Sequence, residues 1–116
     1  MSAAARAALA GLKVVEFAHV IAGPLAGTLL ADLGADVVHV EPPGAGDTGR
    51  KMGPAKDGVH LWWKVAARNK RSLSLDLRQQ AGREVARRLA EWADVVITNL
   101  RVDTLAQWGL DWATLH

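Results

Sequence analysis

The sequence contains no cysteine, which excludes a disulfide framework and thiolate metal sites and fits a reducing compartment. It has no apolar run near the roughly 18 to 20 residues that a membrane-spanning helix requires. The alanine-rich opening "MSAAARAALAGLKVV", broken by Arg6 and Lys13, lacks the apolar core of a signal peptide. Nor is there a large excess of either charge: 14 Lys and Arg against 12 Asp and Glu leave a formal +2, so the sequence pI of about 9.4 overstates how basic the molecule is near neutrality. Internal repeats and low-complexity tracts are absent too. These absences describe a soluble, cytoplasmic chain with no membrane partner.

Half of the 116 residues are hydrophobic, which suffices for one buried core. Lys13 to Ala18, "KVVEFA", reads as a buried strand. Pro24 suits the first turn of a helix, Leu25, Leu29, Leu30 and Leu33 follow at helical spacing, and Gly34 ends it. Asp36 to Glu41 reads as a second strand, followed by the long Pro/Gly-rich loop "PPGAGDTGRKMGPAKDG". Trp62 and Trp63 fall in a short helical piece, and Ser72 to Leu77 alternates as a third strand.

Gln79 to Ala93 is the most regular helix. Val85, Leu89 and Trp92 share its inner face, while Arg83, Glu84, Arg87, Arg88 and Glu91 form a solvated outer face with Glu84 and Arg88 at i,i+4. Asp94 to Asn99 is a fourth strand, and Asp103 is placed to cap a last helix running to about Trp108. Strands alternating with helices predict an α/β protein with an open, mostly parallel sheet flanked by helices. In such sheets ligands bind beyond the carboxyl ends of strands. Those ends are His19 to Gly23, Glu41 onward, Asp76 to Arg78, and Asn99 to Arg101.

Two phosphate motifs are nearly present and fail. "GAGDTGRK" has the glycine spacing of a P-loop, but Arg50 stands at the lysine position and Lys51 at the Ser/Thr position, with Gly53-Pro54 close behind. "GPLAG" lacks G-x-G spacing. Backbone N–H groups near Ala22 and Gly23 form either an anion or carbonyl site or simply a tight strand-to-helix turn. His19, His39, His60 and His116 are scattered without metal-ligand spacing, so no metal is expected. His19 stands out because it sits at a strand end beside the glycine turn.

Arg68, Lys70, Arg71 and Arg78 crowd around the third strand. They read as a solvated face, as contacts to a nucleic-acid backbone, or as a set of cations for the phosphates of a cofactor. With low net charge and no extended basic face, nucleic acid is the weaker reading.

Taken in order, "GLKVVEFAHVIAGPLAGTLLADLGADVVHVEPPGAGDTGR", "ARNKRSLSLDLR" and "ADVVITNLR" resemble the N-terminal part of the class III CoA-transferases. This is the CaiB/BaiF group, which includes formyl-CoA transferase, carnitine CoA-transferase and the α-methylacyl-CoA racemases. The resemblance runs from Leu12 to about Leu115, with residues 1–11 as an N-terminal extension and 12–116 as an incomplete domain of the family. It implies a Rossmann-like fold that forms part of a site for coenzyme A or acyl-CoA, held as substrate. By the same resemblance, Leu75 packs at the adenine, Arg78 with its neighbour Arg71 faces phosphate, Asn99 and Leu100 line the pocket, and His19, Val20 and Ala22 approach the pantetheine and thioester end.

Pro42, Leu100 and Gln107 depart from the family pattern, where arginine, phenylalanine and arginine are common; Asp47 and Arg50 keep its "GD-x-x-R" loop, as a ligand contact or as a loop-ordering pair. The family's catalytic aspartate lies downstream of His116, so no catalytic residue is expected in this chain, His19 being at most an active-site neighbour. Asp32, Asp36 and Asp76 are not assigned that role. The expectation is an N-terminal fragment, inactive by itself, contributing CoA binding to acyl-CoA:carboxylate CoA transfer within an interlocked homodimer. The alternatives are a racemase-like member, a non-catalytic nucleotide-binding module and a degenerate fragment.

Overall fold

A computed structural model of the chain describes residues 7–116. Of the extension expected over 1–11, residues 1–6 lie outside the described residues. The remainder forms a turn whose Leu9 N–H donates to the Leu33 carbonyl (2.9 Å), with Leu9 and Leu12 packed on the core.

Four strands form one parallel sheet. They are β1 (Lys13–Phe17), β2 (Asp36–Glu41), β5 (Lys70–Ser74) and β6 (Val95–Thr98), in the order β5-β2-β1-β6. The expected α/β architecture with a parallel sheet is what the chain adopts. The third sheet strand begins two residues earlier than its alternating pattern suggests, so Leu75 to Arg78 form the loop beyond its end. The long loop holds a 3-10 turn (Thr48–Lys51) and a small antiparallel hairpin of β3 (Ala55–Lys56) and β4 (Val59–His60). Asp57 and Gly58 turn that hairpin with positive φ at both positions, as a two-residue primed turn requires.

Helix α1 (Ala22–Asp32) covers one face of the sheet, packing its Ala31 against Val14, Ala35 and Val37. The other face packs Val15, Phe17 and Val40 against Ala86 of α3 (Gln80–Trp92), Leu105 of α4 (Val102–Trp108), and Leu110, with Leu115 of α5 (Trp112–Leu115) at the periphery. Helix α2 (Leu61–Ala66), which carries both expected tryptophans, lies beside α1.

Helix α1 does not bury the leucine stripe that its spacing suggests. Gly23, Pro24, Gly27, Thr28 and Ala31 face inward, while Leu25, Leu29 and Leu33 are about half exposed. The reason lies in the sheet below, where Glu16, His39 and Lys70 occupy that face instead of aliphatic side chains. Only small side chains admit the helix over them: a Cβ added at Gly27 would stand 2.2 Å from Glu16 Oε2. Similarly, α3 turns Ala86 fully inward and leaves Val85 40% exposed. Asp103 does not cap α4; Arg101 holds the cap position without a side-chain bond, and Asp103 sits in the first turn, paired with Arg101.

Candidate functional site

The chain leaves β1, builds β2 and β5 on one side, then crosses back to place β6 on the other side of β1. Such a reversal opens a crevice beyond the carboxyl ends of the strands. Here it is lined by Phe17 and His19 after β1, Val40, Glu41 and Pro42 at the end of β2, Leu75 to Arg78 after β5, and Leu100 and Trp108 from the segment after β6. Of the residues singled out from sequence, His19, Leu75, Arg78 and Leu100 meet in this one cleft.

Asn99 and Val20 work beside it, not as lining. Asn99 clamps the turn after β1: its Oδ1 accepts from His19 N (2.9 Å) and its Nδ2 donates to the His19 carbonyl (2.7 Å). Val20 has φ +69°, a left-handed conformation unfavourable for a β-branched residue, of the kind that persists only where surroundings over-determine it. Its N–H donates to Asp47 Oδ1 (3.1 Å). Ala22 opens α1.

Arg71 lies elsewhere. It stands at the amino end of β5 on the α3 side of the sheet, where it pairs with Asp36 (2.8 Å) beside Trp92, at the end of the strands away from the cleft. The basic cluster is thus divided among separate carboxylates: Arg68 with Asp32, Lys70 with Glu16, Arg71 with Asp36, and Arg78 with Asp76. Only Arg78 belongs to the cleft. Its side chain is 77% exposed, and Asp76 holds it through Nε at 2.9 Å.

Beneath the cleft lies a charge network of which only Asp47 and Arg50 stand out together in the sequence, and their side chains do not pair with each other: Arg50 pairs with Glu41. Lys70 Nζ donates to both oxygens of Glu16 (2.7 and 2.8 Å), and its side chain is 3% exposed. His39 bridges Glu16 through Nδ1 (3.2 Å) and Asp47 through Nε2 (3.0 Å). Asp47 also accepts from Gly49 N (2.8 Å). Glu41 accepts from Asp47 N (2.8 Å), Arg50 Nε (2.7 Å), Arg50 Nη2 (2.6 Å) and Ser72 Oγ, and Arg50 lies over the Trp63 ring. Three carboxylates therefore face three cations, as burial of charge demands.

The electrostatics follow from that enclosure. Burial opposes a charge on His39, but hydrogen bonds to Asp47 and Glu16 outweigh it and push the imidazole up to about 9. Burial likewise opposes ionisation of Glu41, yet Arg50, Asp47 N and Ser72 pull it down to about 2. For Asp47, burial is overcome by His19, His39 and the N–H groups of Gly49 and Val20, which hold it well below the usual carboxylate range.

The remaining histidines are dispersed: His60 Nδ1 contacts the Gly53 carbonyl and His116 stacks on Trp112. Among the described residues, no group of three or more His, Asp or Glu side chains is placed to hold a metal ion. No described helix is long and apolar enough to cross a membrane.

Fold and site thus define an open α/β domain with a cleft at the topological reversal, apolar on its walls and with the Arg78–Asp76 pair at its rim. The chain belongs to CoA-transferase family III, whose family model matches residues 9–116. It is 47% identical over 106 residues to a succinyl-CoA–D-citramalate CoA-transferase of Chloroflexus aurantiacus, covering 90% of this chain and 26% of that one. It is 46% identical over 115 residues to a succinate–glutarate CoA-transferase of Agrobacterium fabrum, covering 93% and 29%. A solved CaiB/BaiF family protein from Brucella suis superposes with a TM-score of 0.85 at 45% identity, covering 93% and 30%. The chain therefore spans less than a third of the length of these relatives.

Proposed function

We propose that this chain supplies coenzyme A recognition to a CoA-transferase that moves CoA from an acyl-CoA thioester to a carboxylate acceptor. The observation that carries the proposal is the convergence of His19, Leu75, Arg78 and Leu100 on one cleft at the strand ends, in a chain of this family. Apolar walls from Phe17, Leu75, Leu77 and Leu100 suit a ring or a pantetheine arm, and Arg78 at the rim suits phosphate. In this proposal Asn99 and Val20 shape the turn, Ala22 begins the helix behind it, and Arg71 takes no part.

Binding and chemistry separate in this reading. The carboxylates that line the cleft are Glu41 and Asp76, and both are committed, to Arg50 with Ser72 and to Arg78. Asp47 is 1% exposed. A carboxylate nucleophile must reach the thioester carbon with its lone pairs free, so we assign that role to no residue of this chain and expect it to be inactive by itself. We place the protein in the cytoplasm, on its lack of cysteine.

We also propose that the functional form is a homodimer, in which a second copy covers the half-exposed apolar stripe of Ile21, Leu25, Leu29 and Leu33 on α1. Light scattering on the purified protein should give twice the chain mass; a monomer at micromolar concentration would contradict it.

The binding reading is tested by calorimetric titration with CoA. Arg78→Ala should weaken binding by roughly 1.5–3 kcal/mol, the worth of one charge-assisted contact. Dephospho-CoA, run in parallel, shows whether that contact is to the 3′-phosphate. An unchanged affinity in a folded Arg78→Ala protein removes Arg78 from the site, and no saturable CoA binding by the folded chain removes the proposal.

A further inference from the structure

The His19 ring lies between the ligand cleft and the buried charge network. Its backbone is immobilised from both sides: Asn99 clamps its N–H and carbonyl, and Asp47 holds the strained Val20 that follows. Its side chain is 31% exposed and lines the cleft. Yet Nδ1 is buried without a hydrogen-bond partner. The acceptor facing it is Asp47 Oδ2, at 3.9 Å and fully buried. That gap exceeds hydrogen-bond length, and a bond forms there only if the ring turns toward Asp47.

Asp47 is not free to move away. Val20 N, Gly49 N and His39 Nε2 all donate to it, and His39 is fixed in turn by Glu16, which Lys70 holds. The charged groups around this point are Asp47, His39, Glu16 and Lys70 in one chain of contacts, and Glu41 with Arg50 bound to the backbone of Asp47. A histidine with a carboxylate behind one nitrogen keeps its proton there and offers the other nitrogen outward.

We infer that Asp47, held by His39, is a positioning residue that fixes the tautomer of His19, keeping a proton on the buried Nδ1 and presenting Nε2 to the cleft as a hydrogen-bond acceptor. The ligand group that Nε2 takes is then an N–H or O–H donor, such as an amide or hydroxyl. A bare carbonyl or anionic oxygen is disfavoured at that point while His19 is neutral. This deepens the reading of the cleft as a ligand site, although the tautomer itself does not depend on which ligand enters.

The test is a two-dimensional proton–nitrogen correlation spectrum of the histidine side chains of the ligand-free chain. In wild-type protein, neutral His19 should show an N–H-like Nδ1 and an unprotonated Nε2. Asp47→Asn should shift the ratio of Nδ1–H to Nε2–H forms by roughly tenfold or more, the worth of one hydrogen bond to a charged acceptor. An Nε2–H form of neutral His19 in the wild type overturns the inference, as does a folded Asp47→Asn protein with an unchanged ratio. Should Asp47→Asn fail to fold, the tautomer seen in the wild-type spectrum decides alone. Because no CoA is present, failure here leaves the binding proposal standing, and failure of CoA binding leaves the tautomer result standing.

Discussion

Replacing Lys70 with methionine is expected to destabilise the protein by about 3–5 kcal/mol, the cost of leaving one partner of a buried ion pair uncompensated. Lys70 is 3% exposed and donates to both oxygens of Glu16. Glu16 is fully buried under Gly27, so water cannot replace the lost ammonium without lifting α1. Small domains have only about 5–15 kcal/mol in total, and a loss of this size approaches unfolding. Its neighbour gives the contrast. Arg71 is 65% exposed and its partner Asp36 is 48% exposed, so Arg71→Ala should change stability by no more than about 1 kcal/mol, as surface pairs do. Urea unfolding of the two variants beside wild type reads both values. Similar small losses would show that the Lys70–Glu16 pair is hydrated and that α1 does not seal it.

Stability is expected to peak in mildly acidic solution and to fall on both sides. His39 is raised from 6.5 to about 9, so its contribution is fully present below about pH 6.5 and is lost as pH rises through about 9. The ring is 2% exposed, and the size of the shift corresponds to about 3 kcal/mol. Glu41 moves the other way, from 4.5 to about 2, so its contribution is present above about pH 4.5 and is lost as pH falls through about 2. Asp47, depressed for related reasons, steepens the acid limb. Urea midpoints measured between about pH 3 and pH 10 give the curve. His39→Gln should flatten the alkaline limb specifically between about pH 6.5 and 9. A wild-type profile that is level there would mean His39 is neutral in the folded state.

The alternation of strands and helices was legible because parallel strands buried on both faces are near-continuous apolar runs, and "KVVEF" and "DVVHVE" are such runs. The start of β5 was harder to read. Its first residue is a lysine that looks like surface and is buried, because its partner Glu16 is equally hidden in an apolar strand. Period alone likewise could not say which side of α1 faces the sheet. The leucine stripe competes with a glycine, threonine and alanine stripe, and the charges beneath decide in favour of the small residues. The dipeptide Asp57-Gly58 did carry a hairpin signal inside a loop otherwise read as irregular.

The site divides the same way. His19, Arg78 and Leu100 are legible from their places at strand ends and, with Leu75, from family resemblance, and the fold brings them together. Arg71 is close to Arg78 in sequence, but it stands at the amino end of β5, paired with Asp36 at the start of β2, while the cleft opens beyond the carboxyl ends. His39 looked like an isolated strand residue. Its importance depends on Glu16 and Asp47, which lie 23 and 8 positions away, and no local pattern joins those three.

The most direct measurement is a CoA titration of the isotopically labelled chain followed through its backbone amide signals. Saturable shifts confined to His19 through Ala22, Leu75 through Arg78, and the segment around Leu100 are the expected result, since these are the backbone groups that line or shape the cleft. An absence of saturable shifts in the folded chain, or shifts centred on the arginine-rich outer face of α3, would contradict the assignment of the cleft as the CoA site.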